Sequence, residues 1–170
     1  MSVIVNTTVL SNFAAIGQLD LLSQLYRTIH IPTEVYKEVQ VGLEEGYQFY
    51  AGIAQLIYPF VKNGWIQLTG MVDEQELCLL GELPPSLHQG EVACLAIAHH
   101  RGWTLLTDDL TARKEAARLG IRKSGSVGCL VLAVERGICT LEQANHWLEE
   151  MIRQGYRSPM PNLTPLIEHN

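Results

Sequence analysis

"VIVNTTVLSNF", residues 3–13, runs from three β-branched residues into small polar ones and then into a segment of apolar periodicity. β-Branched residues suit a pleated strand, and Ser, Thr and Asn suit the start of a helix. The pattern predicts a strand over 2–5 and a helix over 8–17, with Thr7 or Thr8 as its N-cap. Asn6 then stands where the first strand ends, on the edge where open α/β sheets build their sites. An acidic residue there would offer oxygens to a metal ion. Asn6 offers a neutral amide.

Outward from this unit, strand-like and helix-like segments alternate. QLDLLSQLY (18–26) has helical spacing, and TIHI (28–31) reads as a second strand. Pro32 suits a helix start, TEVYKEVQVG (33–42) follows, and Gly42 suits its end. The apolar segment 47–61 predicts another helix, WIQL (65–68) a strand, and 73–80 a short helix before the loop GELPPS. LHQGEVACLAIAHHRG (87–102) is a helix ended by Gly102, WTLLT (103–107) a strand, and LTARKEAARLG (110–120) a helix. After IRKSG, helices are expected over 126–137 and 140–155.

Strands separated by helices imply a three-layer α/β/α sandwich with a central, mostly parallel sheet. We expect one domain over 1–155 and a loosely packed tail over 156–170 that ends in a short helix.

Of the 170 residues, 47% are hydrophobic and 18% charged, and the net charge is −6. No stretch approaches the ~18 uninterrupted apolar residues of a membrane helix, and the start lacks the basic and apolar regions of a signal peptide. A cytoplasmic location is expected. Cys78, Cys94, Cys129 and Cys139 form no CxxC pair and read as buried free thiols. His99 and His100 suit a helix C-terminus, and the absence of HExxH argues against zinc. The overall charge disfavours non-specific nucleic-acid binding. Yet Arg113, Lys114, Arg118, Arg122 and Lys123 place five of the twelve Lys and Arg residues within eleven positions.

Four acids stand out. Asp108 and Asp109 follow a strand, where they also suit a helix N-terminus. Glu38 lies in the helix after Pro32, and Glu91 interrupts an apolar helix. A buried unpaired carboxylate is costly, so Glu91 is expected to face a cleft or meet a cation.

The ordered set N-T-T-V-L (6–10), G-Q-L-D-L-L (17–22), P-T-E-V-Y-K-E (32–38), G-E-V-A-C-L-A (90–96) and L-L-T-D-D (105–109), with Arg113 and G-S-V-G-C-L (125–130), covers nearly the whole chain. It resembles the PIN-domain superfamily (PilT N-terminus type), the fold of VapC-type toxin ribonucleases, and most of all its branch of uncharacterised prokaryotic PIN-like proteins. The resemblance implies a catalytic pocket of Asn6, Glu38, Glu91 and Asp108, with Asp109 as an alternative or addition to Asp108. It implies that Asn6, Glu91 and Asp108 ligate Mg²⁺ or Mn²⁺, the ions that oxygen-only ligands favour. A hydroxyl of Thr7 or Thr8 would join them, and Thr7, Arg113, Lys114 and Arg118 would contact nucleic acid.

The implied activity is endoribonuclease, with an RNA substrate and an antitoxin protein as partner. Asn6 departs from the family's aspartate. One unit charge at ~4 Å is worth about 4 kcal/mol at an effective dielectric near 20, or roughly a thousandfold in rate. The substitution therefore raises a second reading, a PIN-fold protein that binds RNA or protein without cleaving. No GxGxxG follows the first strand, which argues against a dinucleotide-binding enzyme. A haloacid-dehalogenase-type phosphatase would need a nucleophilic aspartate in place of Asn6. The apolar composition also predicts a symmetric homodimer through Val127, Leu130, Val131 and Trp147.

Overall fold

The structure is a computed structural model that describes residues 1–168; positions 169–170 of the expected tail lie outside the described residues. Val3–Val5 (β1) is buried on both faces, as its unbroken β-branched run requires. It is followed by α1 (Thr7–Ala15), α2 (Leu19–Tyr26), β2 (Ile29–Pro32) and α3 (Thr33–Glu44). Next come α4 (Ala51–Ala54), β3 (Ile57–Tyr58), β4 (Ile66–Thr69), α5 (Glu74–Leu79) and α6 (Gln89–Arg101). β5 (Thr104–Leu106), α7 (Leu110–Arg118), β6 (Lys123–Ser124), α8 (Ser126–Glu135), α9 (Leu141–Arg153) and α10 (Thr164–Ile167) complete the order.

The six strands form one parallel sheet in the order β3-β4-β2-β1-β5-β6. The expected α/β class with a parallel central sheet holds. From β1 the chain first builds outward through β2, then returns to pair β5 with the other edge of β1, Val5 opposite Leu106. The order reverses between β1 and β5, so a cleft is expected beyond their C-terminal ends. Helices α3, α5 and α7 pack around α6, which crosses β1, β2 and β5, while α1, α2, α8 and α9 form a second group. No helix among the described residues is long and apolar enough to cross a membrane.

The cap of α1 is Asn6, whose side chain accepts from the Thr7 N–H, and neither Thr7 nor Thr8 fills that role. Pro32 ends β2 and caps α3 instead of opening the helix. Gly42 lies inside α3 and does not end it; the missing side chain makes room for the Tyr50 ring, which a Cβ there would meet. The segment 47–61 is a 3-10 turn (Gln48–Tyr50), α4 and an edge strand. Pro59 biases Tyr58 to an extended backbone, and Tyr47, Phe49 and Tyr50 cluster with one another. IRKSG contains β6. Cys94, Cys129 and Cys139 are buried free thiols, but Cys78 is exposed.

The tail packs more closely than expected. Leu163 is fully buried, Tyr156 and Met160 lie against the core, and the short C-terminal helix is present as α10. Leu130 is likewise core, with Val127, Val131 and Trp147 packed on it, so core packing accounts for these four side chains.

One buried ion pair fixes α6 at its C-terminal end. Arg101 donates to Glu76 (Nε–Oε1 2.6 Å), to the Thr69 hydroxyl (2.9 Å) and to the Gly70 carbonyl (2.7 Å). Burial pushes the Glu76 carboxyl up, but donors from Arg101, Val72 and Asp73 outweigh it and hold the carboxyl below its ordinary range. An acid depressed in the folded state stabilises above its unfolded pKa, and that stability is lost as pH falls through the folded value. Arg101→Met leaves a buried charge unpaired and is expected to cost about 3–5 kcal/mol, read from urea unfolding at neutral pH. The loss should shrink at acid pH, where Glu76 is neutral.

Candidate active site

At the C-terminal edge of β1 and β5, the first turn of α1 divides two clusters. Asn6 is 2% exposed, and its amide is used at both ends. Oδ1 accepts from the Thr7 N–H (2.7 Å), and Nδ2 donates to the Thr107 hydroxyl (3.0 Å). The Thr107 oxygen also accepts from the Asp109 N–H (3.2 Å). Thr7 and Thr8 then point to different partners. The Thr7 hydroxyl bonds the Glu38 carboxylate, whereas Thr8 accepts from the Asp108 N–H (3.0 Å).

The first cluster lies between α3 and α6. Glu38 Oε1 accepts from the Gly90 N–H (3.1 Å). Gly90 permits this approach, since a Cβ there would sit 2.6 Å from the same oxygen. Glu91, on the next residue, is 6% exposed and accepts from the His88 N–H (2.9 Å) at the start of α6. Burial pushes its carboxyl above the ordinary range; the charges of Asp109 and Glu38 raise it further, against the His88 bond. An acid raised in the folded state opposes folding once ionised, so its contribution worsens as pH rises from the unfolded to the folded pKa.

One turn before Glu38, Glu34 Oε2 is buried with no hydrogen-bond donor. Burial, and then the charges of Glu38, Glu34 and Glu91, push the Cys94 thiol well up. The negative field of all three carboxylates thus reaches the α3–α6 contact. Beside it opens a cavity of about 360 Å³ whose lining includes Glu34, Glu38 and Glu45 together with one cation, Lys37, and the rings of Tyr47 and Tyr50.

Asp108 belongs to the second cluster. Oδ1 accepts from the Ser126 N–H (2.8 Å) and the Tyr156 hydroxyl (3.3 Å), and Oδ2 from Asn12 Nδ2 (2.8 Å) and the Ser126 hydroxyl. Both carboxylate oxygens are therefore occupied. Burial and the Asp108 charge push the Tyr156 phenol up. Asp109 instead caps α7, with Oδ1 accepting from the Ala112 N–H (2.7 Å).

The expected residues are thus brought to one sheet edge but not to one point. Asn6, Thr7, Glu38 and Glu91 are linked through hydrogen bonds and adjacent backbone, Asp109 adds its charge at Glu91, and the Asp108 side chain turns away. Arg113 bonds the Thr107 carbonyl (3.0 Å); Lys114 and Arg118 are exposed, and Arg118 pairs with Glu115. The sequence reading missed Glu34, Asn12, Ser126 and Tyr156. The only signal for Glu34 was its place four residues before Glu38 on one helix face.

Among the described residues, no three His, Cys, Asp or Glu side chains stand as a ready metal cage. The donor chemistry nonetheless fits Mg²⁺ or Mn²⁺. The donors are all oxygens, one buried carboxylate oxygen of Glu34 lacks any partner, and Mg²⁺ needs only one or two carboxylates beside water.

The family model described as a PIN domain, DUF3368, matches residues 2–168. The chain belongs to this PIN-domain family. Among curated proteins, none matches it. Its fold is similar to that of a chain in the crystal structure of VapBC2 from Rickettsia felis bound to a DNA fragment from their promoter. That match has a TM-score of 0.50 and 16% identity, and covers 74% of this chain and 98% of that one. The likeness is one of fold.

Proposed function

We propose that this PIN-domain protein is a Mg²⁺- or Mn²⁺-dependent endoribonuclease, the toxin half of a toxin–antitoxin pair. The observation that carries the reading is the group of carboxylates between α3 and α6, Glu91 buried and Glu34 and Glu38 half-buried. Glu91 sits in the field of Glu38 and Asp109, and Glu34 keeps an oxygen without a donor. Such a group is costly by itself and is relieved by a hard cation.

Glu38 and Glu91 would hold the ion, with Glu34 and Asp109 beside them. When bound, the ion would polarise the phosphodiester and activate water. Thr7 keeps Glu38 in place, and Asn6 keeps Thr7 in place through its cap. Arg113, tied to the strand end at Thr107, stands ready for a phosphate. Asp108, with both oxygens satisfied, is a positioning residue that ties α1 to α8 and the tail.

The saturated amide of Asn6 favours a second reading, a PIN domain that binds RNA or an antitoxin without cutting. Incubating purified protein with end-labelled single-stranded RNA in Mn²⁺ or EDTA separates the two. The nuclease reading expects internal cleavage in Mn²⁺ only, whereas unchanged RNA in both supports the binder. A cytoplasmic location and a homodimer are further parts of the proposal, the latter tested by light scattering at micromolar concentration.

A further inference from the structure

On the far side of α1 from Glu38, a cavity of about 910 Å³ opens between α7, β6, the start of α8 and the segment after α9. That volume is at the upper end of the ~300–1,000 Å³ of ordinary ligand clefts. Its wall carries Arg113, Lys123 and Arg157. None of the three has a carboxylate within ion-pair distance among the described residues, whereas Arg101, Arg118 and Arg153 do. Asp108 and Asp109 line the same cleft, so its three cations exceed its carboxylates by one, which suits an anionic ligand in a chain of net charge −6. The two acids are already committed, Asp108 to Asn12, Ser126 and Tyr156 and Asp109 to the Ala112 N–H as the cap of α7.

Two further features give the cleft a direction. The Tyr156 hydroxyl pins the tail to Asp108, and so sets the neighbouring Arg157 on the wall. Asp109 lines the same cleft, and its N–H shares the Thr107 hydroxyl with Asn6, which is bonded on through Thr7 to Glu38, so the cleft borders the carboxylate group. Ser11, Ser124 and Ser158 add hydroxyls along the wall.

We propose that this cleft is the track for the sugar–phosphate backbone of single-stranded RNA, held by Arg113, Lys123 and Arg157. The strand would approach the Glu38–Glu91 group past Asp109. The biological use of the track rests on the nuclease reading, but its test does not. Lys123 and Arg157 are exposed, so their removal spares the core.

The experiment is fluorescence anisotropy with a labelled 15-nucleotide RNA in EDTA, over 50–200 mM salt. It compares the wild type with Lys123→Gln/Arg157→Gln and with Lys114→Gln/Arg118→Gln on the outer face of α7. The cleft pair is expected to weaken binding at least about tenfold and to lower the salt slope by roughly 1.4, about 0.7 for each lost phosphate contact. The outer pair should lose less than half as much of the slope. No binding by the wild type, undiminished binding by the cleft pair, or a larger loss from the outer pair would overturn the track. Intact binding without cleavage in Mn²⁺ would overturn the nuclease reading and leave the track standing.

Discussion

Asn6→Asp is expected to raise Mn²⁺-dependent RNA cleavage by up to about a thousandfold, the rate equivalent of one unit charge at ~4 Å and an effective dielectric near 20. The local structure can accept the change. Asn6 donates to the Thr107 hydroxyl, which also accepts from the Asp109 N–H. A carboxylate would reverse the first bond, with Thr107 donating its own proton instead. Aspartate also caps a helix as well as asparagine and gains about 0.3–1 kcal/mol from the dipole of α1. Added repulsion from Glu38 and Glu91 offsets that gain, so the melting temperature without metal should move little. A quantitative cleavage assay of both proteins over Mn²⁺ concentration checks this. Equal, absent activity in both would favour the binding-module reading.

Glu91→Gln is expected to reduce the same cleavage by about a thousandfold, since it removes one charge from the group. Unlike most buried substitutions it should not destabilise. Glutamine at this position can still accept from the His88 N–H. It also removes an ionised group that burial, Asp109 and Glu38 disfavour. Near neutral pH the variant should therefore melt at or above the wild-type temperature, and the difference should vanish below the unfolded carboxyl pKa. A lost activity with a lowered melting temperature would make Glu91 structural. In the Asn6→Asp background, Glu91→Gln should abolish the gain, because both act through one ion.

Much of this site was legible because it breaks a local pattern. Glu91 interrupts an apolar helix, and Asn6 ends a β-branched run at the very edge where parallel sheets build sites. Glu34 was not legible, since acids at i and i+4 on a helix ordinarily face solvent. Strands β3 and β6, of two residues each, are too short for any periodicity to declare them. The choice between Asp108 and Asp109 needed tertiary contacts. Asn12 of α1, Ser126 of α8 and Tyr156 of the tail converge on Asp108, and no spacing in the chain foretells that. The same holds for the tail, whose prolines suggested loose packing although Leu163 enters the core.

On this proposal the carboxylates between α3 and α6, and not Asp108, form the metal site. The most direct measurement is the anomalous difference map of a crystal soaked in Mn²⁺. A peak within coordination distance of carboxylate oxygens from Glu38 and Glu91 is the predicted result. A peak on Asp108, or none at millimolar Mn²⁺, would contradict it.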